Sequence, residues 1–151
     1  MKATILFRIT AFVFLLFAAG HTFGFLSFKP PTPEGLAVIH AMDSVQFVAQ
    51  GKAFTYGGWY RGFGLTATVS MLFESFLAWQ LGAMARRGSS EVTVLGWGFF
   101  VWQLPGLVLS LIYFGVAPMV LSALVAVLIA AATWLSPKPA AVPQFERQIR
   151  A

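Results

Sequence analysis

The chain has 151 residues, of which 58% are hydrophobic, 16% aromatic and only 10% charged, whereas a soluble domain carries about 25% charged residues. Together with a mean hydropathy of +0.78, this excludes a disordered chain, a collagen-like fibre and an ordinary soluble enzyme, and it points to the lipid bilayer. The absence of Cys excludes disulfide frameworks, thiolate metal sites and Cys nucleophiles, and the net charge of +5 is spread in ones and twos rather than gathered into a stripe for nucleic acid.

Crossing about 30 Å of hydrocarbon takes about 20 mostly apolar residues in a helix. The first such stretch covers residues 9–28, between Arg8 and Lys29-Pro30-Pro31. Ala18-Ala19-Gly20 before His21 resembles the small-residue end of a signal peptide. Apolar character nevertheless continues through Phe23, Phe25, Leu26 and Phe28, so a retained helix is expected.

The loop that follows is longer than a plain connection requires. Thr32-Pro33-Glu34 reads as an N-cap, a first-turn proline and a first-turn acid. The spacing predicts an amphipathic helix over 33–50, stopped by Gly51, with Val38, Met42, Val45 and Val48 or Ala49 on one face and His40, Asp43 and Phe47 on another. It is too short and too polar to span, so it is expected on the outer membrane surface, as a plain cap or as a lid over a cavity. Five glycines and Tyr56, Trp59 and Tyr60 then mark a chain reversal in an interfacial aromatic belt.

Three further spans are expected at residues 62–85, 92–115 and 118–135, followed by a proline-bearing mobile tail at 137–151. The very short third connection makes the last two spans antiparallel neighbours. The expected architecture is therefore all-α: an integral membrane four-helix bundle over 1–136 with an extra amphipathic loop helix. Lys2, Arg8, Arg86, Arg87, Lys138, Arg147 and Arg150 fall on one side, and Lys29, Lys52 and Arg61 on the other. This bias places both termini in the cytoplasm of an inner-membrane, multi-pass protein.

Polar side chains within the spans are few. Counted in helical rise from the flanking Arg8, Arg86 and Glu91, His21, Glu74 and Gln103 each lie about 18–20 Å deep. Three helices then contribute one polar group each to a single layer. Such groups are costly against lipid and are expected to face inward and pair. His21 and Glu74 form a candidate proton-handling pair, with Gln103 as hydrogen-bond donor, Trp102 beside it, and His40 and Asp43 on the lid. The small-xxx-small pairs Gly20/Gly24 and Gly58/Gly62 suggest close helix packing, and Thr66, Thr68 and Ser70 can hydrogen-bond across or along the helices. Pro105 removes the donor for the Val101 carbonyl. The layer is either glue between helices or a ligand site. No metal site is assigned, no cofactor follows from the residues, and no phosphate loop, G-x-S-x-G or H-E-x-x-H motif is present.

Gly20-His21, the glycine-rich stretch 57–64 and Trp102-Gln103-Leu104-Pro105, set on four spans with cytoplasmic termini, resemble the small DoxX-like bacterial inner-membrane proteins. The resemblance covers the architecture of the whole chain through loose motifs. It implies a membrane subunit linked to redox or quinone chemistry, and it transfers no site residue. Small multidrug transporters share four spans and a membrane Glu, but theirs lies in the first span and here it lies in the second. Three functions are therefore expected in order. The first is binding of a small lipophilic ligand (quinone, lipid or isoprenoid) at His21, Glu74 and Gln103. The second is a non-catalytic membrane subunit or scaffold with a homo-oligomer or partner subunit. The third is a small proton-coupled transporter.

Overall fold

A computed structural model describes residues 1–136. The expected tail at 137–151 lies outside the described residues. In chain order the elements are α1 (Lys2–Ser27), α2 (Pro33–Ser44), β1 (Gln46–Ala49), β2 (Lys52–Thr55), α3 (Tyr56–Arg86), α4 (Glu91–Tyr113) and α5 (Val116–Trp134). The all-α class holds, with one small hairpin added to it.

Helices α1, α4 and α5 are long and apolar enough to cross a bilayer. Helix α3 is the longest, at 31 residues, yet it is not among them. Its glycines, hydroxyl side chains, Glu74 and Gln80 dilute its apolar content. Helix α1 begins at Lys2, seven residues before the expected start. Arginine is a good helix former, and Arg8 does not end the helix. Its guanidinium instead lies 3.2 Å from the centre of the Trp79 ring, a cation–π contact that removes part of the cost of a charge beside apolar surface.

Helix α2 starts as its sequence dictates. Thr32 caps it by accepting from the Gly35 amide at 3.1 Å, with Pro33 in the first turn and Glu34 near the positive end of the helix dipole. It ends at Ser44 rather than near Gln50, which corrects the longer helix expected. Val45 turns to extended backbone, and the next residues pair as an antiparallel hairpin with Phe47 opposite Phe54 and Ala49 opposite Lys52. Gln50 and Gly51 close it with φ values of 53° and 75°. Two successive positive φ angles give the primed turn whose twist suits a two-residue hairpin. Phe47 then packs on Phe54, Tyr56 and Trp59, at ring separations of 5.9, 4.8 and 4.9 Å. Val45 and Val48 remain at least half exposed, so they form no apolar helical face.

The described chain forms two compact units. One joins Met1–Val13 to the residues from Ser75 onward. Its core holds Phe7, Thr10, Leu81, Val92, Val125 and Ile129, each almost fully buried. The Ser75 hydroxyl donates to the Ala11 carbonyl at 2.8 Å, which fastens the start of α1 to the end of α3. Helices α4 and α5 are antiparallel neighbours, as their short connection requires. The Ser110 and Ser122 hydroxyls meet at 3.0 Å near one end, and Gly96 lies under Thr133 near the other. The second unit is Phe14–Glu74, which contains the rest of α1, α2, the hairpin and the start of α3. It buries little: Phe23, Phe63 and Val69 are 76%, 69% and 65% exposed. Apolar exposure on this scale suits lipid rather than water as the surrounding solvent.

Candidate functional site

Within the second unit, α1 and the start of α3 run antiparallel and touch through small and polar residues. His21 Nε2 donates to the Gly64 carbonyl at 3.0 Å. The Phe25 ring, one turn on, stacks on His21 with centroids 5.7 Å apart and planes within 8°, and it tilts against Tyr60 at 5.2 Å. This arrangement needs a glycine at position 64, because a Cβ there would run into the Phe25 ring. One turn further along α3, the Thr68 and Thr22 hydroxyls meet at 2.8 Å, and Thr22 also donates to the Ala18 carbonyl at 2.7 Å. Thr66 donates back to the Gly62 carbonyl at 2.9 Å.

Glu74 lies ten residues beyond Gly64 on α3, about 15 Å along the helix. His21 therefore stands level with Gly64 and Thr68 and not with Glu74, and its Nε2 bond goes to a backbone carbonyl. The expected common depth took Arg8 and Arg86 as equivalent boundaries. Arg8 instead faces Trp79, seven residues inside Arg86. Glu74 is half-buried and is not free of interactions.

The remaining candidates are distributed along the chain. Gln103, on α4 in the first unit, is buried at 8% exposure, and its Nε2 has no partner among the described residues. Its neighbour Trp102 is 64% exposed. His40 is exposed on α2. Asp43 pairs with Arg61 at 2.7 Å and lies so close over Gly57 that a Cβ there would clash. Asp43 thus ties the end of α2 to the first turns of α3. The glycine pairs behave differently from expectation: Gly20, Gly24 and Gly62 have open space where a Cβ would stand, among the described residues. Close approach occurs instead at Gly35, Gly57, Gly64 and Gly96.

Beside the threonine pair, α1 and α3 frame an open groove of about 740 Å³. Leu15, Phe23, Leu26 and Leu72 form its apolar walls, while Ala18 and Ala19 leave the room. Thr22, Thr68 and Ser27 supply its hydroxyls. This volume lies within the range of small-molecule sites, about 300–1,000 Å³. Thr68 was legible as a polar residue in a span. Its partner Thr22 was not, because a threonine one residue from the histidine carries no helical-wheel signal of its own. Compared with known proteins, the chain matches no family model, no curated protein and no solved structure.

Proposed function

We propose that the protein is an integral membrane protein in which α1, α3, α4 and α5 all cross the bilayer and the α1/α3 groove holds a small lipophilic molecule. The observation that carries this reading is the groove itself: an apolar trough of about 740 Å³ with a hydrogen-bonded threonine pair on its floor. Treating α3 as the fourth span is supported by its length, about 46 Å, and by its charge pattern. Between Arg61 and Arg86 its only charged side chain is Glu74. His21 and Glu74 act as separate groups rather than a contacting pair. Gly64, which accepts from His21, and Glu74 bracket the stretch of α3 that lines the groove. Proton handling by these two groups belongs to the same proposal; Gln103, on α4 in the first unit, does not line the groove and takes no part in it. The α2 helix and hairpin rest at the membrane surface, where the exposed Leu36 and Val38 meet lipid.

The test is retention of ligand. Protein extracted in mild detergent should carry a lipophilic molecule in native mass spectrometry, and Ala19→Trp, which fills the groove, should release it. Equal occupancy in the filled variant would rule the groove out. A second reading is a non-catalytic subunit or scaffold, favoured by the open space beside Gly20, Gly24 and Gly62, where another helix fits. It predicts a co-purifying partner and unchanged function in Ala19→Trp.

A further inference from the structure

Every hydroxyl lining the groove has already spent its hydrogen inside the protein. The Thr22 hydroxyl donates to the Ala18 carbonyl and the Ser27 hydroxyl to the Phe23 carbonyl, each to the residue one turn back. With the only Thr22 hydrogen committed, the 2.8 Å contact between Thr22 and Thr68 must be made by the Thr68 hydrogen. A hydroxyl has one hydrogen and two acceptor positions. Thr68 and Ser27 therefore each keep both acceptor positions, and Thr22 keeps one. The groove offers hydrogen-bond acceptors and no donor.

We infer that the occupant is a long-chain alcohol: an apolar tail along Leu15, Leu26 and Leu72, ending in an O–H that donates to the Thr22/Thr68 pair. This deepens the groove reading above and rests on it. A carbonyl-headed molecule such as an oxidised quinone or a simple ester can be met only by a hydroxyl that turns away from its internal acceptor, so one hydrogen bond is lost for the one gained. An unpaired polar group in such a site is costly, so the preference between otherwise identical tails depends on the head group.

The experiment offers purified full-length protein equal amounts of farnesol and its methyl ether, which share a tail and differ in the donor hydrogen, and reads bound masses by native mass spectrometry. The alcohol should exceed the ether about fivefold, the selectivity one hydrogen bond confers. The ratio should fall toward one in the Thr22→Val, Thr68→Val double variant and persist in Thr68→Ser. Equal binding of alcohol and ether, with both displaced by Ala19→Trp, overturns the alcohol assignment and leaves the groove standing. Binding of neither probe, or binding unaffected by Ala19→Trp, overturns the groove reading and this inference with it. If the double variant fails to fold, the wild-type ratio alone decides, and a value of one or below sinks the proposal.

Discussion

At position 64 the missing side chain is what lets Phe25 lie flat against α3 and His21 reach a backbone oxygen. Adding a methyl group there forces the ring out of its stack between His21 and Tyr60. Gly64→Ala should therefore destabilise the protein by about 1–3 kcal/mol, the usual cost of overpacking, in a detergent-based unfolding titration. Gly20→Ala and Gly24→Ala should be neutral or stabilising by up to about 1 kcal/mol, because alanine is the better helix former and nothing stands in its way. Loss of stability in Gly20→Ala would instead mean that a partner helix packs on that face. Sequence alone expected His21 to pair with a side chain, whereas its ring bonds a backbone carbonyl. His21 was visible as a costly polar group. Its acceptor was not, because a backbone carbonyl has no letter of its own and the register between two helices is set by contacts such as Arg8 on Trp79.

Among the elements, α2 and the hairpin show where local signals compete. The cap, proline and acid at the start of α2 are chemical statements about single residues, and they held. The end of α2 was read from Gly51 as a helix stop, with apolar spacing carrying the helix up to it, and there Val45, Phe47 and Val48 fit a strand as readily as a helix. The left-handed pair Gln50-Gly51 decides between them. Glycine takes its φ of 75° without cost, whereas Gln50 is held at 53° against its preference. Gln50→Asn should therefore tighten the hairpin, and Gly51→Val should loosen it by about 1–2 kcal/mol. Amide hydrogen exchange across 46–55 measures both: slower exchange in the first variant, faster in the second. Unchanged rates in Gly51→Val would show that the turn does not hold the strands together. The Asp43–Arg61 pair adds little, since both side chains are about half exposed and salt screens them.

For the molecule as a whole, the apolar stretches were legible because burial in lipid is written as uninterrupted composition. That kept α4 and α5 in view within two residues of their observed limits, and α1 apart from its first seven residues. The proposed crossing by α3 carries a direct test. The chain has no native cysteine, so single introduced thiols report sidedness cleanly. Gln50→Cys, at the hairpin tip, should react with a membrane-impermeant maleimide in intact cells, and Ser89→Cys, between α3 and α4, should be protected until the membrane is opened. Matching accessibility at the two sites would reduce the crossings to three. The helices are also unequal: α1 has 26 residues and α5 has 19, about 39 Å against 28 Å. The difference lies in the seven residues up to Arg8, because the apolar part of α1, 9–27, has 19 residues, as many as α5. If both cross, one hydrocarbon thickness of about 28 Å fits the two rods upright, and the surplus turns of α1 stand among the headgroups, where Lys2 is at ease. A bilayer near that thickness should then hold the pair with neither a lean nor a pinch in the surrounding lipid.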